Sequence, residues 1–114
     1  MTTKKTQKRI TTVSYEETIL PYLKDPIEAA LYLKISMEDE DPRIFLKALS
    51  RVAKANGGVA LLAKKTGLNR ENLYRTLSSK GNPKLESIDA MLRSFGMRLS
   101  VEQVTPQRRR RAAA

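Results

Sequence analysis

Residues 69 to 78 read Asn-Arg-Glu-Asn-Leu-Tyr-Arg-Thr-Leu-Ser, a run rich in side chains that grip another molecule by hydrogen bonds and charge. Arg70 and Arg75 carry planar forks that fit guanine O6 and N7 or a phosphate, and Asn72 fits the paired donor and acceptor of adenine. Glu71 matches a cytosine N4 donor or holds an arginine in place, while Tyr74 and Ser78 offer stacking and phosphate hydrogen bonds. Each has a plainer alternative. Glu71 is favourable negative charge at a helix start, Asn69 is a helix cap that could also reach DNA, either arginine is equally a phosphate grip, and Tyr74 is a partly packed tyrosine.

Bond-breaking chemistry is poorly served by comparison. The 114 residues contain no cysteine and no histidine, which removes disulfides, thiolate chemistry, zinc-finger ligation and every His-dependent dyad or triad. Serines, lysines and carboxylates occur without a clustered nucleophile, base and metal pattern. We expect no enzyme, no metal and no cofactor. No apolar run approaches membrane-spanning length, and the opening MTTKKTQKRITT lacks the apolar stretch of a secretory signal, so a soluble cytoplasmic protein associated with the nucleoid is expected.

The elements that must hold those side chains follow from periodicity. On a helix from about Arg70 to Ser79, Leu73 and Leu77 lie one turn apart and face inward, leaving Arg70, Glu71, Tyr74, Arg75 and Ser78 outward. Ahead of it, Ala63 is small enough for a close helix crossing, and Gly67 suits a left-handed turn; residues 59–79 thus form a helix-turn-helix. Lys64 and Lys65 close the first of its helices, where they suit both the helix dipole and a nearby phosphate.

Asx-Pro pairs mark three helix starts: Asp25-Pro26, Asp41-Pro42 and Asn82-Pro83. Glu28 adds a capping-box spacing to the first, whose apolar stripe reads Ile27, Ala30 and Leu31. The second helix runs from Arg43 to about Ala55 with Phe45, Ala48, Leu49 and Val52 inward, and stops at Asn56-Gly57-Gly58. That glycine pair has a phosphate-cradling alternative, which the missing Gly-Lys-Ser/Thr disfavours. The third start opens a helix from Pro83 to Phe95 with Leu85, Ile88, Leu92 and Phe95 on one face. Ser14-Tyr15-Glu16-Glu17 fits a short capped helix interrupted by Pro21. After Gly96, Met97, Leu99 and Val101 alternate with Arg98, Ser100 and Glu102, the period of one β-strand over 97–104. Such a strand needs a partner: a hairpin mate, for which only the weak segment 10–13 offers itself, a second copy, or another protein.

The fold expected is mainly α, a single five-helix helix-turn-helix (lambda repressor-like) domain over residues 15–104 with a short C-terminal β-strand. Residues 1–14 and 105–114 lack apolar content to bury and are expected to be disordered, the Arg108–Arg111 run repelling itself.

The net charge of +10 is unevenly spread: +4 over residues 1–14, −6 over 15–42, +8 over 43–83, zero over 84–104 and +4 over 105–114. The basic excess coincides with the helix-turn-helix and both tails, the footprint of a phosphate-binding surface. The acidic block 15–42 suggests a second kind of partner, or a solvated helix face; the acids 38–41 also favour the start of the following helix.

Three segments together, YLKDPIEAALYL, GLNRENLYRTLSSKGNPKLESI and LRSFGMRLSVEQV, resemble the addiction-module antidote proteins, HigA-like antitoxins with a Cro/C1-type helix-turn-helix. The resemblance covers residues 15 to 104, and its specific part is the middle segment with its Gly-Asn-Pro. Thr76 departs from the general motif, where an apolar residue is common, and the basic tails lie outside the resemblance. It implies neutralisation of a RelE/HigB-like toxin by protein binding, and repression of the shared operon by binding double-stranded operator DNA. On that reading the acidic block would cover a basic toxin surface with Tyr22, Leu31 and Tyr32 beside Glu28 and Glu38. The same side chains could instead pack on neighbouring helices, which is the expectation for Leu31. Reading a useful length of operator calls for a homodimer on half-sites about one helical turn apart, joined through the terminal strand or the last helix. The competing readings are a stand-alone prophage-type transcriptional repressor and a nonspecific nucleic-acid-binding protein.

Overall fold

Asp25 and Asp41 both adopt extended backbone, and each carboxylate accepts from the amide two residues on, Ile27 at 2.8 Å and Arg43 at 3.0 Å, so that the intervening proline starts a helix. The computed structural model describes residues 15–78 and 80–104, and the readings of both tails and of residues 10–13 lie outside it; the helix expected to run from Arg70 to about residue 79 ends at Thr76, with Leu77 as its cap. Among the described residues there are six helices: α1 (15–22), α2 (Pro26–Met37), α3 (Pro42–Ala55), α4 (Gly58–Thr66), α5 (Arg70–Thr76) and α6 (Leu85–Ser94). The count exceeds the expected five because α1 is complete. Pro21 does not interrupt it, since the Leu23 amide still donates to the Ile19 and Leu20 carbonyls at 3.2 and 3.1 Å.

Helix α3 is the axis of the molecule. It packs on α2 and on α4, and α4 in turn packs on α5 and α6. Leu46, Ala48, Leu49, Val52, Ala53 and Ala55 are buried along α3, and they join Leu23, Leu33, Leu62, Leu73, Leu77, Ile88, Met91 and Leu92 in one apolar cluster. Phe45 and Phe95 pack partly against it.

Helix α1 is held down by polar groups of α3. Glu16 pairs with Lys54 at 3.0 Å and with Arg51 at 3.6 Å. Arg51 also donates to the Tyr32 hydroxyl at 3.0 Å and lies 5.2 Å over the Tyr15 ring. At the end of α3, the Asn56 side-chain amide donates to the carbonyls of Leu23 and Val52 at 3.0 and 2.8 Å, tying the turn after α1 to the axis. The hydrogen bond from Lys54, more than any other influence, holds the Glu16 carboxyl below its ordinary value of 4.5.

Three expectations need correction. In α2 the inward face carries Ala29, Leu33 and Ser36, whereas Ile27, Ala30 and Leu31 point to solvent. Both faces of this helix are apolar, so periodicity alone picked the wrong one; buried Ser36 is satisfied because its hydroxyl donates to the Leu33 carbonyl at 2.7 Å. The Asn82-Pro83 pair does not repeat the capping device. Helix α6 starts two residues later with Lys84, which has no acceptor to offer, at its cap, and Leu85 is left exposed at the edge of the core. Finally, residues 97–104 form no β-strand. Met97 turns its amide back to the Leu92 carbonyl at 2.8 Å, and Met97 and Leu99 lie against the core while Val101 is 97% exposed. The alternation survives in burial only over residues 97–100 and is lost at Val101, and no ladder partner stands beside the segment among the described residues.

Leu49 is wholly buried, so Leu49→Ala should lower unfolding stability by about 2–5 kcal/mol in urea titrations, and a cost under about 1 kcal/mol would contradict this core. The Glu16 carboxyl has a lower pKa folded than unfolded, so its stabilisation is present above the unfolded value and is lost as pH falls through the folded one. Wild type and Glu16→Gln should therefore differ in urea midpoint near neutral pH and converge below 4.5; a gap independent of pH would refute the pairing.

Candidate nucleic-acid interface

Helix α4 ends at Gly67, whose φ of +75° lets its amide close on the Ala63 carbonyl at 2.9 Å and sends the chain into a three-residue turn. Asn69 then caps α5, its side-chain oxygen accepting from the Asn72 amide at 3.1 Å. The capping role of Asn69 is thus the one its geometry displays. Leu73 and Leu77 are buried behind α5, and Ala63 packs partly on the same cluster.

That burial fixes the rotation of α5. Arg70, Glu71, Asn72, Tyr74, Arg75 and Ser78 are all exposed on its outer side, and Lys64 and Lys65 are exposed in the last turn of α4. The Arg70 guanidinium stacks on the Tyr74 ring, 5.8 Å from its centroid, which holds a long cation against a rigid plane. Ser78 donates its hydroxyl proton to the Arg75 carbonyl at 2.7 Å, which leaves its oxygen's lone pairs free to accept. Glu71 sits in the first turn of α5, where its charge suits the helix dipole. Thr76 is half-buried, and Leu73 and Leu77 beside it are buried.

The structure adds residues that the sequence reading passed over. Behind the C-terminal end of α5, Asn72, Arg75, Lys80, Asn82, Lys84 and Ser87, together with the acidic Glu86, line a groove of about 450 Å³. Gly81 lines it too, where a Cβ would fall on the Thr76 carbonyl oxygen, so the chain can turn this tightly only with glycine. The signal in the sequence is two lysines flanking Gly-Asn-Pro, a tripeptide that marks the family resemblance and a helix start but does not by itself show a groove. Other cations of the basic segment serve the fold: Arg43 is bidentate to Asp41, and Arg51 and Lys54 hold Glu16. The Asp41 carboxyl is held below its usual range by the hydrogen bond from Arg43.

The residues expected to meet a protein partner come together in part. Tyr22, Glu28, Leu31 and Tyr32 line one groove between α1 and α2. Leu31 does not pack on neighbouring helices as expected but stands 52% exposed. Glu38 lies apart as the C-cap of α2, its amide donating to the Ile35 carbonyl at 3.1 Å. Among the described residues no cluster of three or more acidic, cysteine or histidine side chains could hold a metal, and no helix is long and apolar enough to cross a membrane.

The family model described as "probable addiction module antidote protein" matches residues 14–103. An uncharacterized protein of Haemophilus influenzae is 27% identical over 85 residues, which span 75% of this chain and 87% of that relative. No solved structure matches the chain. The buried apolar axis and the helical segments described above all fall within the matched residues, and the chain belongs to the addiction module antidote proteins, a family of antitoxins whose general partner is a toxin.

Proposed function

We propose that the chain is the antitoxin of a type II toxin–antitoxin module, which represses its own operon by sequence-specific DNA binding and neutralises a RelE/HigB-like toxin by binding it. The observation that carries the DNA half is the outward face of α5, where Arg70, Asn72 and Arg75 are exposed over a fully buried Leu73. In this reading α4 and α5 are a Cro/C1-type helix-turn-helix within a lambda repressor-like arrangement, and the start of α5 meets base edges in the major groove. Arg70 and Arg75 fork onto guanine, with Asn72 available to adenine. Lys64, Lys65, Lys80 and Lys84 flank that helix and take the phosphates on either side. The protein works as a binder rather than an enzyme, as a homodimer on paired half-sites in the cytoplasm, in association with the nucleoid.

Gel shifts against the chain's own upstream DNA, with scrambled duplex as competitor, separate this reading from nonspecific nucleic-acid binding. We expect a specificity gap that persists at physiological salt; equal affinity for both duplexes would overturn the operator reading. Arg70→Ala and Arg75→Ala should each weaken operator binding by about 1–3 kcal/mol and relax base preference at one position of the half-site. Lys84→Ala should instead weaken operator and scrambled duplex alike and reduce the salt slope by about one. An unchanged base preference in both arginine variants would remove α5 from the reading position.

A further inference from the structure

Helix α2 carries two apolar faces and only one of them is used. Ala29, Leu33 and Ser36 are buried against the core, while Ile27, Leu31 and Ile35, spaced by one turn each, form a ridge on the opposite side with exposures of 78%, 52% and 58%. Beside the ridge runs the groove of about 250 Å³ between α1 and α2, walled by Ile19, Tyr22, Leu31, Tyr32 and Ile35, with Leu23 lining its buried side. Isolated exposed apolar residues need no explanation, but a ridge continuous with an apolar groove is the mark of a surface that another molecule covers.

Charge identifies the occupant. Segment 15–42 carries −6 by sequence; Glu16 of that block is paired with Arg51 and Lys54 and Asp41 with Arg43, while Glu28 opens onto the groove itself. Of the two lysines in the segment, Lys34 is turned to Glu102 at 3.7 Å, away from the ridge. A nucleic acid or an anionic membrane would be repelled here. A second copy docked by the same face would set acidic segment against acidic segment. A protein with an apolar contact surface rimmed by lysine and arginine fits both features.

Resting on the antitoxin reading above, the geometry points to the α2 ridge and the α1–α2 groove as the surface that docks the module's toxin, with the toxin's contact surface basic at its rim and apolar at its centre. Leu31, where ridge and groove meet, is the anchor. Ile27 and Ile35 extend the contact along α2, and Glu28 supplies the acidic rim. Helix α2 packs on α3 and α5 packs on α4, so toxin and DNA would meet different helices of the chain.

The test uses the full chain co-expressed with the protein encoded by the reading frame adjoining its own, with growth rescue and co-purification as readouts. Wild type should neutralise and co-purify, and Leu31→Lys and Ile35→Lys should each weaken the complex at least about tenfold, with unchanged thermal unfolding and operator gel shift. Glu28→Lys should weaken it less, mainly by slowing association, and make it less sensitive to salt. Full neutralisation by both lysine variants overturns the docking surface while leaving the antitoxin reading intact. Loss of self-association in those variants, with neutralisation retained, assigns the ridge to a second copy and also overturns it. A wild-type chain that neither neutralises nor binds the adjoining product overturns the antitoxin reading, and the docking surface falls with it.

Discussion

The burial of Leu73 and Leu77 is the constraint on which the functional surface depends. Helix α5 has seven residues, far fewer than the dozen or more that an isolated helix needs in water, so it exists because its apolar side is captured by the cluster around α3 and α4. Each leucine contributes about 1.5–3 kcal/mol by leaving water, and the Asn69 cap adds about 1 kcal/mol. Once those two positions are fixed, a period of 3.6 residues leaves no freedom in where the arginines go. Arg70 and Arg75 face outward because leucine faces inward.

The same axis separates the charges. The segment ahead of α3 is strongly acidic and the segment from α3 onward is strongly basic, and α3 joins them by spending Arg51 and Lys54 on Glu16. Lys64, Lys65, Arg70, Arg75, Lys80 and Lys84 remain exposed in the last turn of α4, in α5 and in the segment before α6. On the function proposed above, a chain of this size offers one surface to polyanions and another to a basic protein.

Much of this was legible in the residues. Leu73, Leu77, Gly67 and Asn69 carry local signals that no tertiary context contradicts: apolar residues at i and i+4, a glycine at the left-handed position, and an amide at the cap. The Asp25 and Asp41 caps were readable for the same reason. Helix α2 was not, because Ile27, Leu31 and Ile35 make as good a stripe as Ala29 and Leu33, and only the position of α3 decides which is covered. The segment after Gly96 has strand periodicity, yet a strand is a property of a pair, and residues 97–104 have no ladder mate in the described chain. The lysines at 80 and 84 were visible as residues but not as neighbours of Arg75. The close approach of Gly81 to Thr76, which makes them so, is a tertiary fact.

On the function proposed above, the outward side of α5 reads duplex DNA while the ridge of α2 stays clear of it. Amide-resolved NMR during titration with the chain's own upstream duplex tests this most directly. Large shifts are expected over residues 69–78 and 80–84, with unmoved signals at Ile27, Leu31 and Ile35. Shifts concentrated on α2, with α5 silent at saturation, would contradict it.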